Sequence, residues 1–351
     1  MIMGSGNAAS VNTMTLFLVI NLVIGLGVLV FGGTYLARRW QHVTHAEDSR
    51  ARAIFVYGLG GLWILDGLLQ VQPLMVRSFI PVLVAPVIQG QPWLIARVMY
   101  LGMHLWNLHP ILFDTLVVWL QIGMGLAIVL GGARGGRRVG LTLSILWGVI
   151  VWGFGEGLGS LFSRGSLLLG SPGSALLYAL TAAALLMPPS FWSHIGLNRL
   201  WRASQSIFWL FAAFLQAWPT NQWWLSSVIS RYFLSQAAMP QPAWVSGPIY
   251  AIARLAGRFP DAVNGAFILL FLVAAASWLV DRRFRIAWTV TLVTTFLVWW
   301  LGQDFGVLGG MGTDPNTAAL ILLSLFAFRF TALFQRKFEL SETGTLASHG
   351  L

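Results

Sequence analysis

Two segments of this chain carry the same residues at the same spacing. The first runs from Trp63 to Pro73 and the second from Trp209 to Pro219, and Trp, Leu, Gln and Pro hold matching positions in both. Agreement continues downstream at independent spacings, in the pairs Pro92–Pro110 and Pro242–Pro260, Asp114 and Asn264, Arg138–Trp152 and Arg285–Trp299, and Val151–Gly159 and Val298–Gly306. Several independent matches indicate a tandem duplication, which constrains the architecture before any local pattern does.

The composition identifies the environment in which these repeats fold. Hydrophobic residues make up 57% of the chain, charged residues only 9%, and the mean hydropathy is +0.75. Long apolar stretches with so few charges indicate transmembrane helices. The sequence contains no cysteine, which excludes disulfides, thiolate-held zinc or iron–sulfur clusters and a cysteine nucleophile. Lys337 is the only lysine, so lysine-based catalysis is nearly excluded as well.

The apolar segments predict an all-α polytopic membrane protein with nine transmembrane helices, because one crossing needs about twenty apolar residues. The leading segment, residues 14–36, lacks a basic region before it and a small-residue cleavage site after it. We therefore interpret it as a retained helix rather than a signal peptide. Each repeat supplies four spans, which lie at residues 53–72, 109–131, 139–157 and 173–188, and at residues 204–218, 261–280, 286–303 and 316–333.

The chain divides accordingly into four parts. Residues 1–52 form the N-terminal transmembrane helix and a cytoplasmic loop, residues 53–195 the first four-helix repeat, residues 196–335 the second, and residues 336–351 a cytoplasmic tail. Each repeat has an even number of spans, so both insert with the same polarity. We expect parallel repeats related by a pseudo-twofold axis along the membrane normal.

The distribution of arginine predicts the orientation. Alternate segments between the spans hold fifteen of the 21 Arg and Lys residues and five acids, whereas the rest of the chain holds six of each. Cytoplasmic loops carry the excess of positive charge, so we predict a bacterial-type plasma (inner) membrane protein with its N-terminus outside and its C-terminus in the cytoplasm. This distribution explains the net charge of +10 without nucleic acid. The expected partners are the lipid bilayer and other subunits of a membrane complex.

Two segments of about forty residues, 73–108 and 219–260, connect the first and second spans of the repeats. Both are apolar with isolated arginines, and prolines interrupt both. We predict that they form short amphipathic helices on the outer face. These helices either lie flat on the leaflet or fold back as a lid over the bundle, with tryptophans at headgroup depth.

The strongest local signal surrounds Glu156. Glycines alternate around it at positions 153, 155, 157 and 159, and the matching block of the second repeat carries Gln303 and Asp304. Glycines let helices approach closely or unwind. One interpretation is a helix contact followed by an N-capped helix restart. The other is a polar cradle that faces the outside, with Glu156 and Asp304 as its charged groups.

Acidic residues within membrane spans are costly and are therefore candidate site residues. In three matched pairs the first repeat carries the acid and the second an uncharged residue: Asp66 and Ala212, Asp114 and Asn264, and Glu156 and Gln303. We infer that the first repeat holds the more reactive half of any site. Gln70 and Gln216 occupy equivalent depths, where they either bind substrate or bond neighbouring helices. Asp114 has a second interpretation, as a first-turn acid that meets a helix dipole.

Histidine and arginine on the outer side add further candidates. His104 and His109 are five residues apart, which does not place both imidazoles on one helix face, so we expect neither haem nor a metal site. His104 is a candidate proton carrier. Arg97, and Arg254 at the position that matches His104, are candidates for binding an anion, because a guanidinium group binds oxyanions. Lipid phosphates and outer acids are their alternative partners.

One hairpin resembles a known family. The run from Gln121 to Gly131, followed by the basic turn and small-residue helix of Arg134 to Ile145, resembles the DoxX/DoxD-like membrane proteins. The resemblance implies a four-helix module at residues 53–190 and again at 204–335, and some members of the family resemble quinone-linked subunits that oxidise sulfur compounds. The long outer segments and the glycine-flanked Glu156 depart from the family pattern. The chain carries no catalytic motif of the family.

These observations lead to three hypotheses of function. The first is a redox-associated protein that exchanges electrons or protons with a quinone or a small outer anion. The second is a proton-coupled transporter or channel with a path between the repeats, and the third is a non-catalytic assembly subunit. In the first hypothesis the proton-handling residues are Asp66, His104, Asp114 and Glu156, and the substrate-binding residues are Gln70, Arg97, Gln216, Arg254, Gln303 and Asp304.

Overall fold

The computed structural model describes residues 4–29, 49–132, 135–194, 196–280, 284–307 and 312–329. Every regular element within these ranges is a helix, as the sequence predicts. We refer to residues 49–194 as the first half and to residues 196–329 as the second half. The predicted tail at residues 336–351 lies outside the described residues.

Helix α1 (Gly4–Gly27) precedes the first half. Helices of the first half are α2 (Arg50–Gln70), α3 (Met75–Ser78), α4 (Trp93–Leu108), α5 (Pro110–Leu130), α6 (Gly136–Phe154), α7 (Ser174–Leu186) and α8 (Pro189–Ser193). Helix α3 continues as a π-helical turn, Phe79–Val84, and a 3-10 turn, Ala85–Ile88. Two more 3-10 turns, Leu158–Ser160 and Leu167–Leu169, lie in the α6–α7 loop.

The second half follows a similar order. Its helices are α9 (Gly196–Ala217), α10 (Ser226–Ala237), α11 (Ala243–Arg258), α12 (Pro260–Val280), α13 (Arg285–Leu297) and α14 (Asn316–Arg329). A 3-10 turn, Pro219–Asn221, precedes α10, and α13 continues as a π-helical turn, Val298–Gly302. Helices α5 and α12 both begin at a proline, whose missing N–H is not needed at that position. The predicted short helices of the outer segments are therefore present in both halves.

Several helices have the length and hydropathy that a membrane crossing requires. Four shorter apolar helices, Asn12–Gly27, Met75–Ile88, Ser174–Leu186 and Asn316–Arg329, accompany five long ones. The chain is thus an all-helical protein with a multi-pass membrane character. The five long apolar helices are Arg50–Gln70, Pro110–Leu130, Gly136–Phe154, Pro260–Val280 and Arg285–Gly302.

Two segments differ from the predicted pattern of spans. The span expected at residues 204–218 lies within α9, which is long but not sufficiently apolar, because its first turns carry Asn198, Arg199 and Arg202. The apolar run Met75–Ile88 was expected in the outer segment and not among the spans, yet it is one of the shorter apolar helices. The number of nine spans therefore does not follow from the helix lengths alone.

Helices α2 and α5 form the closest helix pair of the first half. A Cβ atom on Gly125 would lie 2.4 Å from the carbonyl oxygen of Gly60, so neither helix could approach the other as closely with larger side chains at this crossing. The same pair is joined near its end by Gln70 Nε2, which donates to Asp114 Oδ1 at 2.8 Å. In the second half α9 and α12 are joined in the same way.

Three hydrogen bonds recur at aligned positions of the two halves. Each joins a helix end to a neighbouring helix or to the loop that precedes one. In the first pair, Gln70 Nε2 donates to Asp114 at 2.8 Å and Gln216 Nε2 donates to Asn264 at 2.7 Å. In the second, Trp152 Nε1 donates to the Pro172 carbonyl oxygen and Trp299 Nε1 to that of Pro315, at 2.8 Å each. In the third, the Ala175 N–H donates to Glu156 Oε1 at 3.1 Å and the Ala318 N–H to Gln303 Oε1 at 3.0 Å.

The α6–α7 loop and the α13–α14 loop lie at the same end of the bundle, which we term the acidic end. Gln303 Nε2 donates to the Leu167 carbonyl oxygen at 2.7 Å, and the Thr317 hydroxyl group donates to the Gly170 carbonyl oxygen. Glu156, Asp304 and Asp314 all belong to these two loops. Because each loop bonds to the other half, the two halves are joined at this end.

Arginine side chains occupy the opposite ends of the same helices. Three of them donate to carbonyl oxygens near helix C-termini, where positive charge is favourable. These bonds run from Arg52 to Leu185 of α7 at 3.2 Å, from Arg137 to Ile128 of α5 at 3.3 Å, and from Arg202 to Trp278 of α12 at 2.8 and 3.1 Å.

Candidate functional site

A cavity of about 580 Å³ lies inside the first half. Helices α2, α5, α6 and α7 surround it, and α4 and the π-helical continuation of α3 cover it. Thr313 and Asp314, which precede α14, are the two lining residues that come from the described part of the second half. The first half therefore supplies most of the described lining, whereas the transport hypothesis expects a path between the halves.

The mouth of the cavity faces the outside of the bundle. Leu105, Leu116 and Ile150 line the cavity and are also 45%, 54% and 47% exposed. They come from α4, α5 and α6, so the mouth lies where these three helices meet. Both α5 and α6 are long and apolar enough to cross a membrane, and the mouth between them is apolar.

Asp66 and Tyr178 mark the polar end of the cavity. Both side chains are almost fully buried, at 2% and 1% exposure. The Tyr178 hydroxyl group is close enough to interact with the Asp66 carboxyl group, yet neither that hydroxyl group nor Asp66 Oδ1 has a partner with good hydrogen-bond geometry. Buried polar atoms normally have partners. The two groups interact with each other at this end of the cavity, where a ligand would meet both.

The Trp63 indole holds Tyr178 in position. The two rings pack with centroids 4.4 Å apart, and Trp63 Nε1 donates to Ser144 Oγ at 2.8 Å. This arrangement ties α2 to α6 through the hydrogen bond and to α7 through the ring contact. The polar end of the cavity thus rests on three helices and not on a loop, which favours a fixed geometry.

Gln70, Gln121 and Trp147 add further polar atoms to the lining. Gln70 Nε2 is committed to Asp114, which is fully buried behind it, and Gln70 Oε1 remains as the acceptor. The hydrogen bond from Gln70 Nε2 to Asp114 Oδ1 sets the orientation of this amide. Gln121 Oε1 and Trp147 Nε1 are both buried without a hydrogen-bond partner.

Glu156 follows α6 and caps the start of α7. Its Oε1 accepts hydrogen bonds from Ser174 Oγ at 2.7 Å and from the Ala175 N–H at 3.1 Å. Gly173, with a φ of 111°, leaves room for this side chain, because a Cβ there would lie 2.3 Å from Glu156 Oε2. Burial and, secondly, the nearby Asp314 carboxylate raise the pKa of Glu156 to about 7. These contacts fit the first of the two interpretations of the Glu156 segment, a helix that restarts with a capped N-terminus.

Asp314 brings a carboxyl group to the cavity from the second half. Its Oδ1 accepts the Asn316 N–H at 2.6 Å, its Oδ2 accepts the Thr313 hydroxyl at 3.3 Å, and burial raises its pKa. Asp314 is close enough to Asp66 and Glu156 for their charges to interact. The lining, as far as the structure describes it, contains no arginine, lysine or histidine. The acids therefore face one another without a cation in the cavity wall.

A second cavity, of about 290 Å³, lies between α11, α12 and α13 of the second half. Its lining is entirely apolar. In the alignment of the two halves, its residues correspond to residues at the mouth of the larger cavity. The polar end has no counterpart there, since small or apolar side chains occupy the aligned positions and Trp209 packs on Phe271 with centroids 5.7 Å apart. The aligned pairs are Asp66 and Ala212, Gln121 and Phe271, Trp147 and Thr294, and Tyr178 and Ile321.

The structure brings some of the predicted site residues together and separates others. Asp66 and Gln70 line the cavity, Asp114 supports Gln70, and Glu156 lies beside the lining residue Ser174. The inference that the first repeat holds the more reactive half of any site stays a prediction.

The remaining predicted residues lie outside the cavity lining. His104, Arg97 and Arg254 are exposed on α4 and α11, where no cavity group contacts them. Gln216, Gln303 and Asp304 are buried in the second half. Asp304 has a φ of 52° and no hydrogen-bond partner at Oδ1, and burial raises its pKa to about 7.

Sequence analysis missed four polar residues of the site: Gln121, Trp147, Tyr178 and Asp314. Three of them differ between the repeats as Asp66 does, so a full comparison of aligned polar positions could have found them. Asp314 could not have been found in this way, because it reaches the cavity from the other half. Within the described residues, no group of three or more acidic or histidine side chains is arranged to hold a metal ion.

Comparisons with protein-family models, with curated proteins and with solved structures found no match to this chain.

Proposed function

We propose that this chain is an integral membrane protein that binds the headgroup of a lipid-soluble quinone in the cavity of its first half. The observation that carries the proposal is an apolar cavity of about 580 Å³, open toward lipid, whose polar end holds Asp66 and Tyr178 with unpartnered atoms. A concave apolar site with a few convergent polar groups is typical of a small-molecule site.

A quinone fits this cavity in shape and in chemistry. Its isoprenoid tail lies in the lipid-facing mouth, and its ring lies among the apolar side chains of α5 and α6. Its two oxygen atoms meet Asp66, Tyr178 and Gln70, whose side chains donate or accept hydrogen bonds. The resemblance to DoxX/DoxD-like proteins supports the same class of ligand. His104, Arg97 and Arg254 have no role in this site.

The proposal includes the predicted architecture: nine spans, two parallel four-helix repeats, the N-terminus outside and the C-terminus in the cytoplasm of a bacterial-type cell. Three recurring hydrogen bonds at aligned positions support the duplication. The shared acidic end supports the parallel arrangement, because both loops bond to the opposite half. Arginines at the other end support the orientation.

The architecture is tested by labelling single cysteines, since the natural chain has none. Phe162 and Thr220 are exposed at the acidic end, one in each half, and Arg199 is exposed near the opposite end of the bundle. A membrane-impermeant thiol reagent should label Phe162→Cys and Thr220→Cys from outside intact cells and should not label Arg199→Cys. Labelling of the first two variants from opposite sides contradicts a parallel arrangement.

The ligand is tested on purified protein. Mass spectrometry of its organic extract should detect a quinone, and protein returned to quinone-free nanodiscs should bind a short-chain quinone analogue. Asp66→Asn should weaken that binding about tenfold, which corresponds to the loss of one hydrogen bond to a charged or polar partner. Asp261→Asn is the matched control, because Asp261 is exposed in the first turn of α12. An extract without quinone, together with no measurable binding, contradicts the proposal.

A further inference from the structure

The α6–α7 loop of the first half inserts into the second half at the place that corresponds to the cavity. Ser166 Oγ donates to Gln216 Oε1 at 2.5 Å, and Gln216 aligns with Gln70 of the cavity lining. Leu167 and Leu168 are fully buried in the core of the second half. The loop therefore presents a hydroxyl group and two branched aliphatic side chains to the second half.

Further contacts of this loop are with positions that align with residues of the cavity lining. A Cβ on Gly302 would lie 3.0 Å from Leu168 Cα, and Gly302 aligns with the lining residue Gly155. Thr317, which aligns with the lining residue Ser174, bonds to Gly170 of the same loop. The core around the two leucines includes Trp209, Ala212 and Ile321, which align with Trp63, Asp66 and Tyr178.

The loops that precede α7 and α14 differ in length. The Trp152 indole bonds to a carbonyl oxygen twenty residues later, at Pro172, whereas the Trp299 indole bonds to one sixteen residues later, at Pro315. The loop of the second half is therefore four residues shorter. It brings Thr313 and Asp314 to the edge of the cavity, but among the described residues it places no leucine inside.

We propose that Ser166–Leu168 occupies in the second half the place that a ligand occupies in the first half, as an internal stand-in for that ligand. The ligand is therefore a branched aliphatic lipid whose headgroup carries a hydroxyl group. This hydroxyl group donates to Gln70 Oε1. This inference rests on the proposed function and makes it more specific. Of a quinone and its quinol, only the quinol carries hydroxyl groups, so the cavity prefers the reduced form.

The unpartnered atoms of the lining support this preference independently of the loop. Asp66 Oδ1 and Gln121 Oε1 are buried acceptors without a partner, and a carboxyl group keeps an acceptor oxygen in either protonation state. Quinol hydroxyl groups donate to such oxygens, whereas quinone carbonyl groups only accept. Tyr178 serves either form, because a hydroxyl group both donates and accepts, and Trp147 Nε1 is a donor only.

The preference is measured on the full chain in quinone-free nanodiscs by anaerobic isothermal titration calorimetry. The probes are a short-chain prenylated quinone, the same compound reduced to its quinol, and a prenyl alcohol of equal chain length. We expect the quinol to bind about tenfold more tightly than the quinone, as one additional hydrogen bond implies. Gln70→Met should remove most of this difference.

Two further variants guard against loss of folding. Gln121→Leu removes an acceptor at a position where the second half already carries the apolar Phe271, and it should reduce the preference for the quinol by several-fold. Ser166→Ala removes the stand-in hydroxyl in the second half and should leave the preference unchanged. Preservation of the preference in both Gln70→Met and Gln121→Leu overturns the inference.

The outcomes for the wild-type chain separate the two proposals. Equal binding of quinone and quinol, or tighter binding of the quinone, overturns the hydroxyl preference and leaves the proposed quinone site standing. Binding of the prenyl alcohol as tightly as the quinol supports the stand-in and contradicts the assignment of a quinone. Failure of all three probes to bind overturns both.

Discussion

Gly302 lies against the backbone of Leu168, so the loop of the first half packs directly on the second half. A Cβ on Gly302 would be 3.0 Å from Leu168 Cα and 3.1 Å from the Leu168 carbonyl oxygen. Both atoms belong to the backbone and cannot be displaced by rotating a side chain. The contact therefore depends on the absence of a side chain at position 302.

Gly302→Ala should destabilise the protein by about 1–3 kcal/mol, the usual cost of inserting a methyl group into a packed interface. Thermal unfolding in detergent, followed by tryptophan fluorescence, measures the change. Gly123→Ala is the matched control, because a Cβ there meets nothing within 4 Å, and it should leave the melting temperature unchanged or slightly higher. Equal melting temperatures for both variants would contradict the tight contact.

Tyr178→Phe should weaken quinol binding about tenfold while changing stability by less than about 1 kcal/mol, because the hydroxyl group has no well-formed hydrogen bond in the folded protein. Calorimetric titration and thermal unfolding measure the two effects. Tyr232→Phe should show the opposite pattern. The Tyr232 hydroxyl lies 2.7 Å from the Leu168 carbonyl oxygen and 2.6 Å from that of Gly302, so its loss leaves buried acceptors unsatisfied without touching the cavity. If the two variants changed quinol binding and stability in the same way, the assignment of Tyr178 to the binding site would be contradicted.

Glu156→Gln should reduce the pH dependence of stability. The folded-state pKa of Glu156 is raised to about 7, so between its ordinary value and 7 the folded protein binds more protons than the unfolded chain. Stability therefore falls as the pH rises through this range. The second half shows that glutamine is tolerated, because Gln303 Oε1 accepts the Ala318 N–H at 3.0 Å.

Melting temperatures measured at about pH 5 and about pH 8 give the size of this effect. The decrease between them should be smaller in Glu156→Gln than in the wild-type protein, and part of it should persist, because burial also raises the pKa of Asp314 and of Asp304. An equal decrease in both proteins would show that Glu156 does not titrate in this range.

Arg202→Ala should destabilise the protein by about 1–3 kcal/mol. Its guanidinium group donates two hydrogen bonds to the Trp278 carbonyl oxygen near the C-terminus of α12 and lies 5.0 Å from the centroid of the Phe284 ring. Arg199→Ala, three residues earlier and exposed, should change the melting temperature little. A comparable decrease in both variants would point to a general effect of charge at this end.

Much of the fold follows from local sequence patterns. Apolar runs of membrane length predict helices such as α5 and α12, and prolines predict where these helices begin, because both signals depend on neighbouring residues only. The pairing of Glu156 with Gln303 also follows from the spacing of the repeats, and the structure gives both side chains the same helix-capping bond. The three matched pairs in which only the first repeat carries the acid singled out Asp66, and the structure places Asp66 in the cavity lining.

Tertiary contacts decided the rest of the site. The leucines that fill the second half come from the α6–α7 loop of the first half, which is four residues longer than its counterpart. No helical period or residue spacing shows where Leu168 or Asp314 crosses between the halves. The sequence by itself therefore determined the helices and the candidate acids of the first half. Only packing across the halves decided that one repeat is filled by its neighbour's leucines and that the other keeps an open, polar-ended cavity.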